Sequence, residues 1–206
     1  MSKFRSIPVA ALLACAAIPF VSGTVSAQLE TDTPMYVDCK YGFAIIYPGN
    51  SKQPMARDIR YSIPYYGDNL SAREFFLEQN GNRYSVTVVD FTNGPRADEE
   101  LVETAAAELR KKGEVRFQAY ADYDPGMPGR QLNIFEPNGR QLRASLYMAY
   151  HRLVITQAEA SSSDVDAIRF EQSIVLVDKD GYDIDRVNAM DGTGSEPLRQ
   201  WACTAK

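Results

Sequence analysis

The sequence predicts an α+β fold: an antiparallel sheet of six to eight strands with two main helices packed on one face. Three observations carry this. Asn80-Gly81 sits between two strand-like arms and supplies the pair of φ > 0 residues that a tight hairpin turn needs. Asp98 to Lys112 repeats Leu101, Ala105 and Leu109 at helical spacing. From Val115 to Ala160 the chain then reads as a succession of strands broken by turn clusters.

In chain order, residues 28–40 form a loose leading segment with Pro34 and several threonines. Phe43 to Pro48 is a short β-type run stopped by Pro48-Gly49-Asn50. Residues 50–70 hold Tyr61, Tyr65, Tyr66, Pro54 and Pro64 without a clear period, which predicts a long loop with a short strand around Ile59 to Ile63. The hairpin arms are Glu74–Gln79 and Arg83–Phe91; in the second, Tyr84, Val86 and Val88 share one face and Ser85, Thr87, Val89 and Phe91 the other. The helix starts on acids (Asp98, Glu99, Glu100) and ends on bases (Arg110, Lys111, Lys112), which complements its dipole. Gly113 stops it.

Val115, Phe117 and Ala119 alternate with Arg116, Gln118 and Tyr120. Gly129-Arg130-Gln131-Leu132 recurs as Gly139-Arg140-Gln141-Leu142 across Pro137-Asn138-Gly139, which predicts a second hairpin and not a repeated domain, because the likeness spans one arm only. The arm from Gln141 to Tyr150 turns near His151-Arg152 into Leu153–Ala160. Ser161-Ser162-Ser163-Asp164 carries helix-capping chemistry, and Val165, Ile168 and Gln172 mark one face of the helix that follows. Residues 179–206 are rich in Gly, Asp and polar side chains and read as a tail held by Cys203.

Tyr41-Gly42-Phe43-Ala44-Ile45-Ile46-Tyr47-Pro48 resembles the opening strand motif of PsbP-like proteins, a family named after an extrinsic subunit of photosystem II. The order that follows is similar as well: a hairpin ending in Tyr84–Phe91, a helix, a meander of strands, a short helix, then Phe170-Glu171-Gln172-Ser173. The resemblance covers residues 41–177, about two-thirds of the chain. No Trp follows Pro48 here, and the tail with its cysteine is extra. The resemblance implies an antiparallel sheet with helices against it and an accessory or assembly role. It implies no shared catalytic set.

The first 27 residues read as a secretory signal peptide: Lys3 and Arg5, an apolar run from Ile7 to Val21, and Val25-Ser26-Ala27 before Gln28. Its removal leaves 179 residues, one α+β domain over 28–206, and moves the formal charge from −5 to −7. Leu12-Leu13-Ala14-Cys15 resembles a bacterial lipobox. Leu13 fits its position poorly and the apolar run continues past Cys15, so a periplasmic or secreted protein is expected over a lipid-anchored one. An acidic chain without a basic run argues against nucleic acid, and after residue 27 there is no apolar stretch of the roughly 18 residues that a membrane span needs. Export also removes nucleotide and nicotinamide pools from the available chemistry.

Cys39 and Cys203 remain in the exported chain and predict a disulfide. It would close a loop of over 160 residues, for which loop-closure entropy allows about 4–5 kcal/mol at most. His151 is the sole histidine, so a multi-histidine metal site is excluded; it could act as a general base only beside a Ser and an Asp distant in sequence. Asp178-Lys179-Asp180-Gly181-Tyr182-Asp183-Ile184-Asp185 gathers four carboxylates. It is not an EF-hand: Gly181 falls at the fourth place instead of the sixth, the twelfth would be Ala189, and Lys179 and Arg186 add positive charge. It reads as a solvated acidic turn, as does Asp122-Tyr123-Asp124, and no cofactor or metal is expected. Tyr61, Tyr65 and Tyr66, in a loop with prolines, are the candidate partner-binding residues. The expectation is therefore an exported, non-enzymatic accessory or binding protein of the cell envelope, acting through surface loops on another protein. The alternative is an envelope hydrolase with a site around His151.

Overall fold

The structure, a computed structural model, describes residues 34–49, 53–92, 98–185 and 200–204. The signal-peptide and lipobox readings lie outside these residues, as do Arg186 and Ala189. Ten strands and two helices follow in the order β1 (Tyr36–Asp38), β2 (Phe43–Ile45), β3 (Met55–Ile63), β4 (Gly67–Gln79), β5 (Asn82–Asp90), α1 (Asp98–Arg110), β6 (Glu114–Tyr120), β7 (Gly129–Phe135), β8 (Gln141–Ala149), β9 (Arg152–Ala160), α2 (Val165–Gln172) and β10 (Val175–Leu176). Seven strands form one sheet in the order β3-β4-β5-β9-β8-β7-β6, antiparallel at every pairing. β1, β2 and β10 form a separate three-stranded sheet, which the sequence does not announce. No helix among the described residues is long and apolar enough to cross a membrane.

The α+β class and the antiparallel sheet agree with expectation; the placement of the helices does not. α1 buries Leu101, Val102, Ala105, Ala106 and Leu109 against Leu146, Met148, Leu153 and Ile155. α2 buries Ala167 and Phe170 against Tyr84, Val86, Tyr147 and Val154. Successive residues of one strand serve the two sets, so the helices lie on opposite faces of the sheet. The cause is visible in β5, β8 and β9, which are buried over nearly their whole length and need cover on both sides. The small sheet completes the α2 side, with Phe43 and Ile45 in the same core as Phe170, while Ala44 points the other way toward Val37 and Val177.

Three local readings also need correction. The loop placed at residues 50–70 is mostly the β3–β4 hairpin, closed by Pro64-Tyr65-Tyr66, where Tyr66 N donates to Ile63 O at 3.0 Å. β3 is an edge strand in which Ile59, Tyr61 and Ile63 alternate inward against exposed Asp58, Arg60 and Ser62, as the short strand read there expects, while its first half, Met55–Asp58, is exposed throughout and shows no apolar alternation to read. In α2, Val165 is 73% and Ile168 37% exposed; Ala167, Phe170 and Glu171 face inward because the phase is set by Phe170 and not by the aliphatic pair. Gly113, expected to stop α1 by a left-handed turn, has no left-handed φ; glycine is required there because a Cβ would meet the Phe135 carbonyl oxygen at 2.2 Å.

Other elements form as their chemistry dictates. Asn80 and Gly81 take φ of 53° and 75°, and Gln79 pairs with Asn82. Asp164 caps α2 by accepting from Ala167 N at 2.9 Å. Of the tail, residues 200–204 are held by Trp201 N to Gly181 O at 2.9 Å and Thr204 N to Val37 O at 2.9 Å.

The aromatic content has a consequence at high pH. Burial raises the phenols of Tyr47, Tyr84 and Tyr147, together with Tyr36 and Tyr123, and pushes Tyr61 up to about 12. A phenol whose pKa is raised by folding stabilises the fold fully below its unfolded value and loses that contribution as pH climbs to the folded one. For Tyr61 the window runs from about 10 to about 12. The protein is expected to unfold cooperatively in this window. Phenolate absorbance should include one steep step that coincides with loss of circular dichroism. Ionisation of all the tyrosines with the dichroism intact would contradict the buried placement.

Candidate functional site

An edge strand exposes a row of unpaired backbone donors and acceptors, and proteins commonly guard it with charge. The two edges of the large sheet differ in this respect. β3 carries Arg57, Asp58 and Arg60 along its middle, with Arg57 paired to Glu74 at 2.7 Å and Asp58 to Arg73 at 2.8 Å. β6 carries its charges at the start only, where Glu114 and Arg116 pair with each other at 2.9 Å. Phe117-Gln118-Ala119-Tyr120 that follows is uncharged, and among the described residues no strand pairs with its outer side. Phe117 is 53% and Tyr120 77% exposed. A register shift between Val115 and Phe117 sets the charged start apart from this segment.

A hollow lies on each side of β6. On the α1 side, Gln118, Ala119 and Tyr120 of the strand join Glu103, Arg110 and Arg130 around about 410 Å³. Arg130 is almost wholly buried. Its Nε donates to Glu103 at 2.9 Å, its Nη1 to Gly129 O at 2.7 Å, and its guanidinium lies 3.8 Å from the centroid of the Tyr120 ring. Arg110 donates to Glu103 at 2.6 Å and to Gln118 at 3.1 Å. These bonds, Arg110 first and Arg130 second, hold the Glu103 carboxyl below the usual carboxylate range. They also fix the Tyr120 ring in place, so the exposed aromatic is preorganised.

On the α2 side, Phe117 borders a hollow of about 260 Å³ with Asn133, Arg143 and Glu171. Glu171 is buried, accepts from the Ser145 hydroxyl, and has Arg143 Nη2 at 3.6 Å. Ser145 is fully buried, so its hydroxyl ties α2 to the sheet instead of meeting a substrate. Sequence reasoning places Phe117 and Tyr120 in a strand but not at an edge. The signal that could have marked them is the lack of charge after Arg116 in a strand with large apolar residues on both faces.

The residues singled out from sequence are distributed as follows. Tyr61, Tyr65 and Tyr66 belong to the opposite edge. Tyr61 and Tyr66 lie half-buried against the α1-side core with Ile59 and Leu70, while Tyr65 is fully exposed at φ 69°. His151 occupies the two-residue turn between β8 and β9; its carbonyl accepts from Phe91 N at 2.8 Å, and no side chain among the described residues hydrogen-bonds its imidazole. In the acidic turn, Asp178 Oδ1 accepts from Asp180 N at 2.8 Å and Tyr182 N at 2.9 Å, Asp183 Oδ1 from Tyr123 Oη at 2.9 Å and Asp185 N at 2.9 Å, and Asp180 pairs with Lys179 at 2.6 Å. The carboxylates thus build the turn that Gly181 closes at φ 83°. The structure joins Cys39 and Cys203, with Cα atoms 5.7 Å apart.

No known family and no curated protein matches the chain. Among solved structures, cyanobacterial PsbP from Synechocystis is similar at 14% identity and a TM-score of 0.43, over 69% of this chain and 91% of that one. A Pseudomonas aeruginosa protein of unknown function is similar at 16% identity and a TM-score of 0.33, over 53% and 85%. The PsbP resemblance noted in the strand motif therefore recurs as a weak likeness of fold.

Proposed function

We propose that this is an exported, non-enzymatic binding or accessory protein of the cell envelope that engages another protein along the outer side of β6. The observation that carries the reading is the uncharged, aromatic half of this edge strand beside two guarded hollows. A partner segment adding to the sheet in extended form would gain main-chain hydrogen bonds from Phe117–Tyr120. Its alternate side chains would drop to the two sides of the strand. The leading charge pair, Glu114 with Arg116, fixes where such pairing stops. The surroundings of His151 add no support for the hydrolase alternative.

A photo-reactive residue at position 117, introduced into the protein in its own envelope, is expected to cross-link one dominant partner; the same group at Met55 on the other edge is not. Ala121 N donates to Gly129 O, so in the alternating antiparallel ladder the amides of Gln118 and Tyr120 face outward from β6. Gln118→Pro, which removes an outward-facing backbone donor, should abolish the cross-link with the melting temperature kept within a few degrees. Equal capture from both edges, or capture that survives Gln118→Pro, would refute the β6 reading.

A further inference from the structure

A third hollow, of about 340 Å³, opens where the turn before β2, the β8–β9 turn and the exit of β10 meet. We propose that it binds a small amphipathic acid: an apolar body of roughly six to ten carbons ending in a carboxylate, in keeping with its size. Its floor is apolar. Ala149, Val154, Val177 and Ile184 are all buried, and Cys39 of the disulfide closes one side. Its rim is basic, with Lys40, Arg152 and Lys179 around the mouth. Asp178 is the one carboxylate in the lining, and its Oδ1 is engaged by the two amides of its own turn. Asp180, outside the lining, pairs with Lys179, and Asp90 lies close enough to Arg152 to feel its charge. With these acids counted the charge around the mouth balances, so the selection rests on the donors: Lys40 and Arg152 form no salt bridge among the described residues, and they favour an anionic head held outward over the apolar floor.

Two features hold the rim in place. Arg152 Nη1 donates to Lys40 O at 2.7 Å, which pins the guanidinium across the mouth and leaves its other nitrogens for a ligand. The turn at Tyr150-His151 takes φ of 48° and 62°, left-handed at two non-glycine residues. Such turns are ordinarily Asn-Gly, because a β-carbon is disfavoured in this conformation. Here the strained conformation brings Tyr150, 59% exposed, to the mouth as a wall for the ligand's body. This inference stands independently of the β6 reading, which concerns other residues.

Calorimetric titration of the purified protein with octanoate and with 1-octanol tests it. Octanoate is expected to bind once per chain and at least tenfold more tightly than octanol. The double variant Lys40→Gln, Arg152→Gln should bring octanoate to the level of octanol. The distant pair Arg60→Gln, Lys111→Gln should leave the preference unchanged. Ala149→Phe should fill the floor and abolish both; if that variant fails to fold, the two charge pairs decide alone. Equal affinity for acid and alcohol, a preference that survives loss of Lys40 and Arg152, or no saturable binding at millimolar octanoate would each overturn the proposal.

Discussion

Phe170→Ala is expected to destabilise the protein by about 3–5 kcal/mol, the range for truncating a fully buried aromatic. Its ring lies 5.1 Å from that of Tyr47 and 5.5 Å from that of Tyr84, in tilted and edge-on geometries that add to simple burial. Tyr47 follows β2 and Tyr84 belongs to β5, so one side chain from α2 joins the small sheet to the large one. Loss of the ring leaves a cavity bordered by two separate elements, and neither can collapse into it without losing its own contacts. Against the roughly 5–15 kcal/mol that holds an ordinary domain together, this is a large share. Ile168→Ala on the outer face of the same helix should cost well under about 1 kcal/mol. Urea unfolding of the two variants decides the matter. A comparable fall in midpoint for both would mean that α2 does not dock in the phase described.

That comparison also marks where sequence reasoning goes astray. Val165 and Ile168 look like the apolar face of a short helix, yet in eight residues a single aromatic outweighs two aliphatics in setting the phase. α1 is legible because five small apolar residues share one stripe over 13 residues and the terminal charges agree with it. The β4–β5 hairpin is legible because Asn-Gly leaves little conformational choice. β3 is legible only over Ile59–Ile63, where Ile59, Tyr61 and Ile63 alternate inward, because its first half, Met55–Asp58, is exposed on both faces and has no periodicity to leave in the sequence. β1 and β10, of three and two residues, are fixed by their partners in β2 and carry no signal of their own. The two-sided cover of the sheet could have been inferred from β8 and β9. Ala144 through Ala149 and Leu153 through Ile155 place no charged residue on either face, which fits strands buried on both sides.

The candidate sites divide in a similar way. Composition draws notice to tyrosines in a segment with prolines, but a tyrosine's role depends on which face of which strand it occupies. Tyr61 and Tyr66 are taken up in covering the core beside α1, whereas Tyr120 stands out from an edge and is braced by Arg130. The acidic turn is legible as a turn, and its carboxylates are largely spent on the backbone amides and the Tyr123 hydroxyl that shape it. The basic-rimmed hollow is illegible, since Lys40, Arg152 and Lys179 come together only through tertiary structure.

Removing the disulfide with the double variant Cys39→Ser, Cys203→Ser is expected to cost about 2–4 kcal/mol, short of the loop-closure ceiling of about 5 kcal/mol for a separation of 164 residues. The shortfall follows from what the bond restrains. It ties residues 200–204 to β1 and to the turn at Gly181, where the attachments are Thr204 N to Val37 O, Val37 N to Thr204 Oγ1 and Trp201 N to Gly181 O. Without it these contacts can open locally while the large sheet stays intact, so part of the gain in chain entropy is realised as fraying instead of global unfolding. Hydrogen exchange should then show faster exchange at Val37, Trp201 and Thr204 with β5, β8 and β9 unchanged. Mass spectrometry of the non-reduced protein should find the two cysteine peptides linked. Two alkylatable thiols in that sample, or a variant with the same melting temperature and the same exchange at Val37 and Thr204, would show that the tail is held by its hydrogen bonds alone.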